Sequence, residues 1–178
     1  SEPALGRNNV WWPYWEPIAD HVSRLCWLTS GGKQIIEVAI LSDGNHLSWK
    51  AAKPLYQSQI DFCYIDDVAL DKVVIEKGCA KIGDLALKVI IVDDAPMTPA
   101  LRAKLDELRA AGLLVIENWQ EETLAKAVVD FAGADLTAEN APDLRMEHYR
   151  KDGLDYYLLF NEGEAAIETH LCLRTTGK

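Results

Sequence analysis

Four short apolar runs, separated by segments with helix signals, constrain the fold of this chain more than any other feature. They are IIEVAIL at 35–41, DFCYI at 61–65, LKVIIV at 87–92 and LLVIE at 113–117. Nearly continuous apolar composition is typical of strands that are covered on both faces. The runs therefore predict an α/β fold in which a parallel sheet of strand order 2-1-3-4 carries helices on both faces. This is a flavodoxin-like or class I glutamine-amidotransferase-like architecture.

The segments that flank these runs carry the signals of helices. Pro17 suits the first turn of a helix over 17–30, in which Ile18, Val22, Leu25 and Thr29 share one face. Further helices are predicted over 47–58 with an interruption at Pro54, from the N-cap Thr98 to Gly112, and over 121–131. Residues 73–83 predict a small hairpin around Gly78.

The character of the sequence changes after Gly133. DLTAENAP at 135–142 predicts a linker, and three strand-like runs follow it: DLRMEHYR, DYYLLFN and AAIETHLCLR. Short turn sequences with glycine, KDGL and EGE, separate these runs and predict an antiparallel β-meander. We therefore assign 1–133 to the α/β domain with its aromatic N-terminal segment and helix. We assign 134–178 to a linker and the meander.

The middle strand of this tail is apolar on both faces. Tyr156, Leu158 and Phe160 alternate with Tyr157 and Leu159, and alternate residues of a strand point to opposite faces. An antiparallel strand with one solvated face does not have this composition. One face is therefore expected to pack on the α/β domain. The other is expected to be covered by a second copy, in a homodimer formed through the C-terminal strands.

The overall composition excludes two classes of partner. The formal net charge is −10, and an acidic surface repels the phosphates of nucleic acid. No apolar run approaches the roughly 20 residues of a membrane-spanning helix. Neither nucleic acid nor a membrane is therefore expected as a partner.

The stretch WWPYWEP at 11–17 concentrates three of the six tryptophans of the chain. Trp11, Trp12 and Trp15 are candidate ligand-binding residues, because the apolar face of an indole stacks on the apolar face of a sugar. Packing between two domains is the other interpretation of the same cluster, and the one that we favour.

Open α/β sheets bind ligands at the carboxyl ends of their strands. The loop SDGNH after the first strand supplies Asp43 and His46 as further candidates, but it lacks the glycines of a phosphate loop. Asp93 and Asp94 follow the third strand, where a solvated loop without a nucleophile is expected. The sequence predicts no catalytic residue, no metal site and no cofactor. Four cysteines without a paired motif are expected to be buried thiols: Cys26, Cys63, Cys79 and Cys172.

Three segments resemble large bacterial glycoside hydrolases of the α-L-rhamnosidase type. The first runs from GRNNVWWPYWEP to IIEVAIL and matches the family at Trp12, Pro13, Trp15, Asp20, Arg24, Leu25 and Gly32. DFCYIDDVAL at 61–70 is similar to the family's F-D-x-I-D-x-x-x-L segment. The tail resembles the entry to a following β-sandwich at Arg145, His148, Arg150, Tyr157, Phe160 and Asn161.

The resemblance implies a non-catalytic glutamine-amidotransferase-like domain beside a catalytic barrel, and the barrel's carboxylates match no position here. The chain would then be a segment of a larger polypeptide, and the other domains of that polypeptide would be its partners. Carbohydrate is a second candidate partner. The resemblance also implies a periplasmic or extracellular location. Two alternatives stay open, a divergent amidotransferase-like hydrolase and a carbohydrate-binding module that uses the tryptophans.

Overall fold

The computed structural model of this chain describes residues 9–174. A 3-10 turn at Trp12–Tyr14 precedes the helices α1 Trp15–Thr29, α2 Trp49–Gln57, α3 Asp67–Asp71, α4 Pro99–Ala110 and α5 Glu121–Ala132. The strands are β1 Lys33–Gln34, β2 Val38–Leu41, β3 Cys63–Ile65, β4 Val74–Glu76, β5 Cys79–Ile82, β6 Leu85–Leu87, β7 Val89–Val92, β8 Leu114–Ile116, β9 Leu136–Ala138, β10 Leu144–Lys151, β11 Leu154–Asn161 and β12 Leu171–Leu173.

The central sheet is parallel and has the order β3-β2-β7-β8. These are the four predicted apolar runs in the predicted order, so that prediction is confirmed. Each strand is shorter than its run because the residues at the ends enter the connections. The inner strands β2 and β7 are almost completely buried, as expected for strands that are covered on both faces.

Helices cover both faces of this sheet, as predicted. Alternate residues of β2 enter two separate apolar clusters, Ala39 and Leu41 in one and Val38 and Ile40 in the other. The first cluster contains Leu101, Leu105 and Leu108 of α4, and the second contains residues of α2 and α5. The chain moves in opposite directions from β2 to β3 and from β7 to β8. Right-handed connections therefore place α2 and α4 on opposite faces.

Local sequence signals set the ends of these helices. The Ser48 hydroxyl accepts a hydrogen bond from the N–H of Lys50 at the start of α2, and Thr98 does the same for α4. The predicted interruption at Pro54 is wrong, because α2 continues through this residue. Pro54 lies at the sixth helical position and lacks the N–H that would bond to the preceding turn. Its ring is instead buried with Leu55.

The hairpin expected around Gly78 is present and has a third strand. β4, β5 and β6 form an antiparallel sheet. Ala80 and Leu87 are fully buried in the apolar cluster that also contains α4. This small sheet therefore covers part of one face of the central sheet.

The C-terminal region differs from the predicted meander. β10 and β11 form the expected antiparallel hairpin, and Asp152 and Gly153 both have positive φ at its turn. The third strand of this sheet is β1, and β12 pairs instead with β9 inside the predicted linker. The connection over 162–170 is too long for a tight turn, so β12 does not return to the free edge of β11.

The first helix is more exposed than its periodicity predicts. Leu28 is the only buried residue of α1, whereas Ile18 and Val22 are about half exposed. The contacts of α1 lie at its C-terminal end, where the ring of Trp27 packs edge-on against Tyr156 at 5.6 Å. The ammonium of Lys151 lies over the Trp27 ring and donates hydrogen bonds to the last carbonyls of the helix. The face of α1 that carries Ile18 and Val22 is therefore half exposed in the described structure.

Candidate functional site

The predicted pair Asp43 and His46 lies in one turn at the carboxyl edge of the central sheet. The Asp43 carboxylate accepts a hydrogen bond from the N–H of Asn45 at 2.9 Å, and its carbonyl accepts one from the N–H of His46. The side chain of His46 is exposed. An open depression of about 300 Å³ beside this turn is lined by Ser42, Gly44, Leu47, Tyr64, Ile65, Asp66 and Ala69. Asp66 caps α3, so this carboxylate has a structural partner.

The loop after β7 is occupied by contacts within the chain. Asp93 is only 5% exposed, and its carboxylate accepts a hydrogen bond from the N–H of Ala51 at 3.3 Å. A buried anion at this position satisfies the N-terminus of α2. The Trp119 indole donates to the carbonyl of Val92 at 3.0 Å. The expectation of a solvated loop is therefore wrong for Asp93, which is buried, and correct for Asp94, which is exposed.

The cysteines provide no activated thiol beside this loop. Burial, together with the nearby Asp61 carboxylate, raises the pKa of Cys63 to about 11. A thiol that is neutral at physiological pH is a poor nucleophile. Cys26 and Cys172 are exposed and Cys79 is partly buried. The expectation of four buried thiols is thus wrong for two of them.

The N-terminal tryptophans lie together on the surface, as their spacing indicates. Trp11 is 67% exposed, and Trp12 and Trp15 are each about half exposed. With Asn9 and Ile18 they line an apolar cleft of about 170 Å³. The amide oxygen of Asn9 accepts a hydrogen bond from the N–H of Trp11. The cleft therefore offers apolar area and few polar groups to a ligand.

A larger groove, which the sequence reasoning missed, lies between α1, α2 and the β10–β11 hairpin. It has a volume of about 560 Å³. Its lining residues come from four separate elements: His21, Leu25, Trp49, Tyr56, Arg145, Met146, Glu147, Leu158, Leu159, Phe160 and Glu162. Helix and strand periodicity identify faces within one element but not the meeting of faces from distant ones, so the sequence carried no signal for this groove.

The groove combines aromatic rings with charged groups. The rings of Trp49 and Tyr56 lie 5.5 Å apart, and the Arg145 guanidinium lies 5.6 Å from the Tyr56 ring. Arg145 also donates to the Glu162 carboxylate at 2.7 Å. Rings can cover the apolar face of a ligand while carboxylates accept hydrogen bonds from its hydroxyls. The groove therefore suits a neutral, hydroxyl-rich molecule better than an anion.

A buried polar cluster links the hairpin to the rest of the chain. His148 is 2% exposed and lies between two carboxylates, with Nδ1 at 2.7 Å from Asp135 and Nε2 at 3.1 Å from Asp155. The Tyr157 ring stacks on the imidazole at a centroid distance of 4.3 Å. The alternation of β10, which places His148 with Leu144 and Met146, was the sequence signal for this burial. Because the imidazole is enclosed, the cluster is structural.

The cluster continues to the amino end of the central sheet. Arg174 donates to Asp135 at 3.3 Å and to Glu37 at 2.9 Å, and Lys88 pairs with the other Glu37 oxygen at 2.6 Å. Arg174 follows β12, and Glu37 precedes β2. These ion pairs therefore hold the C-terminal strands against the α/β core.

Asp61 is a partly buried carboxyl close to this cluster. It accepts hydrogen bonds from the Gln34 amide at 3.0 Å and from the N–H of Phe62 at 2.9 Å. The pKa of Asp61 is raised to about 7, mainly by burial and to a smaller extent by the Glu147 carboxylate, while the hydrogen bond from Gln34 opposes the increase. A carboxyl of this kind changes its charge in the physiological pH range.

Residues 9–174 contain no group of three or more His, Cys, Asp or Glu side chains arranged to hold a metal ion. Across the same residues, the helices are too short or too polar to cross a membrane.

Comparison of the chain with protein-family models, with curated proteins and with solved structures gave no match.

Proposed function

We propose that this chain is a non-catalytic association domain within a glycoside hydrolase of the α-L-rhamnosidase type. In this proposal it is a flavodoxin-like, glutamine-amidotransferase-like domain that contacts the other domains of the same polypeptide. The motifs at 6–41, 61–70 and 143–164 support the assignment to this class of enzyme.

The exposed apolar face of α1 is the observation that carries the association role. The N-terminal half of the helix and the preceding turn expose Trp11, Trp12, Trp15, Ile18 and Val22. Contiguous exposed apolar surface of this kind marks a site of protein–protein contact. The C-terminal end of α1 is anchored by Trp27 and Lys151, so the exposed half is held in a fixed position for a neighbouring domain.

The carboxyl edge of the sheet supports the non-catalytic part of the proposal. The loop after β7, where an amidotransferase-like enzyme needs its nucleophile, has no cysteine or serine. Asp93 of this loop caps α2 instead. Cys63 is the nearest cysteine on the central sheet, and its raised pKa keeps it protonated.

We expect the isolated chain to hydrolyse neither an aryl α-L-rhamnoside nor glutamine above the rate of a buffer blank. The physical reason is that the loop after β7 supplies no cysteine or serine, and that Asp66 and Asp93 at the carboxyl edge cap α3 and α2. Product release at high protein concentration is the measurement, and Cys63→Ser and Cys79→Ser are the matched controls. Turnover that either substitution abolishes would support the divergent hydrolase instead.

Carbohydrate binding is a second candidate function, favoured by the groove beside Trp49. This groove has rings for stacking and carboxylates for hydroxyl groups, whereas the cleft at Trp12 offers mainly apolar contact. The groove is therefore the better sugar site of the two.

If the groove binds sugar, a rhamnose-containing oligosaccharide should quench the tryptophan fluorescence in a saturable manner. The change should be lost or strongly weakened in Trp49→Ala and should persist in Trp12→Ala, because stacking on one ring contributes about 0.5–1.5 kcal/mol beyond the buried area. The reverse pattern would assign the sugar to the N-terminal tryptophans. A titration without saturation in the unsubstituted chain would refute carbohydrate binding at both places.

A further inference from the structure

The outer edge of β11 is an open strand edge. β11 is the terminal strand of the sheet β1-β10-β11, and among residues 9–174 its strand partner is β10 alone. It is eight residues long and contains no proline, glycine or lysine. Natural proteins use such residues to block pairing at exposed edges. The edge of β11 therefore has few of the features that prevent another strand from joining it.

The hydrogen-bond pattern shows which residues face this edge. The N–H of Glu162 donates to the carbonyl of Asp143, one position beyond the registered pair Asn161 and Leu144. Antiparallel pairs alternate between bonded and non-bonded, so the even-numbered residues of β11 bond to β10. The odd-numbered residues, including Tyr157 and Leu159, direct their backbone groups outward. Within residues 9–174, no backbone hydrogen bond from outside the strand ladders reaches either residue.

The side chains along this edge are apolar and complementary to their own copy. Leu154, Leu159 and Phe160 are 60%, 42% and 66% exposed. In an antiparallel arrangement with Leu158 opposite Leu158 of the second copy, Tyr156 lies opposite Phe160, and Tyr157 lies opposite Leu159. Asp155 then lies opposite Asn161. Aromatic and aliphatic cross-strand pairs are favourable, and this register places no like charges opposite each other.

We propose that β11 is a homodimer interface, in which two copies pair antiparallel about Leu158 and join their three-stranded sheets into one. The outward backbone groups of Tyr157 and Leu159 would form about four hydrogen bonds between the copies. This inference specifies a partner for the association role proposed above and leaves α1 free for a neighbouring domain.

The small area of this interface indicates a weak dimer. Stable interfaces bury roughly 1,200–2,000 Å². Pairing along one strand edge buries less surface area than this, and most of the buried area lies around Phe160 and Leu159. The dimer is therefore weak and is expected to be populated from roughly tens of micromolar upward.

Cysteine cross-linking tests both the dimer and its register. In the proposed register, Leu158 of one copy lies opposite Leu158 of the other. The two residues form a non-hydrogen-bonded pair, with Cα atoms about 4.5 Å apart. This distance lies within the roughly 4.4–6.8 Å that a disulfide spans. Leu158→Cys should form a covalent dimer under mild oxidation, in a chain that also carries Cys26→Ser and Cys172→Ser because these cysteines are exposed. Leu154→Cys is the matched control, since it would lie opposite Glu162.

We expect Leu158→Cys to cross-link at least about tenfold faster than Leu154→Cys. Equal rates, or no covalent dimer at concentrations where the unsubstituted chain sediments as a dimer, would overturn the register. An unsubstituted chain that stays monomeric to several hundred micromolar would overturn the dimer itself, and would leave the edge to a strand from another protein.

A proline substitution provides a second test that leaves the β10–β11 hairpin paired. Leu159→Pro removes an outward N–H, and proline is tolerated where the N–H side of an edge strand faces solvent. We expect an unchanged circular dichroism spectrum and loss of the dimer, whereas Leu159→Val should retain it. A dimer that persists in the folded Leu159→Pro chain would contradict the proposal. These outcomes are independent of the glycosidase and glutaminase assays, which test the proposed function alone.

Discussion

Replacement of His148 by alanine is expected to lower the free energy of unfolding by about 3 kcal/mol or more. The imidazole lies between the Asp135 and Asp155 carboxylates, whose side chains are only 15% and 14% exposed. Without the ring, each carboxylate loses a partner in a site that water reaches poorly. The stacking contact with Tyr157 is lost as well. Urea denaturation monitored by circular dichroism measures the effect.

His46→Ala is the matched control for this prediction. Its side chain is exposed in the turn after β2, and surface substitutions away from buried contacts change stability by roughly 0.5 kcal/mol or less. His148→Gln should recover part of the loss, because an amide can serve one carboxylate as a donor. If His148→Ala costs less than about 1 kcal/mol, the cluster does not hold the hairpin to the α/β core.

Substitution of Asp61 by asparagine is expected to stabilise the chain at pH 8 and to leave its stability unchanged at pH 4. The folded pKa of about 7 lies above the ordinary value of 3.8. A carboxyl with a raised pKa binds its proton more tightly in the folded chain. Its contribution to stability is therefore complete below about pH 4 and is lost as the pH rises to about 7. Asparagine is neutral at every pH. The free energy of unfolding of Asp61→Asn should therefore exceed that of the wild type by roughly 1–3 kcal/mol at pH 8.

The measurement is a series of urea denaturations of the wild type and of Asp61→Asn between pH 4 and pH 8. The difference between the two chains isolates Asp61 from the other carboxyl groups. Asp71→Asn is the control, because Asp71 is exposed at the end of α3 and its replacement should give a small difference. A constant difference across this range would mean that folding does not change the pKa of Asp61.

The central sheet could be predicted from the sequence because each of its strands is marked by residues that are adjacent in the chain. Each buried strand is a continuous apolar run, and the connections between runs are long enough for helices. Strand order then follows from the handedness of those connections. Thr98 and Asp152-Gly153 similarly mark a helix start and a hairpin turn through their own backbone preferences.

The exposure of α1 and the pairing of β12 could not be predicted in the same way. Periodicity shows that one face of α1 is apolar, but it does not show whether this chain supplies the surface that covers it. The run at 165–174 has strand composition, yet its partner depends on Arg174 reaching Asp135 and Glu37. These are contacts between residues distant in sequence.

The same distinction applies to the candidate sites. The tryptophan cluster is contiguous in the sequence, so it was identified. Asp43 and His46 were correctly placed at the carboxyl edge, although their backbones mainly stabilise their own turn. The groove at Trp49 and the role of Asp93 depend on packing between elements, so neither could be predicted from one segment.

Self-association through β11 is tested most directly by sedimentation velocity on the 178-residue chain over a range of concentrations. We predict a sedimentation coefficient that rises from that of a monomer towards that of a dimer across the micromolar range, and that stays at the monomer value in Leu159→Pro. A wild-type chain that remains monomeric at several hundred micromolar would contradict association through the C-terminal strands.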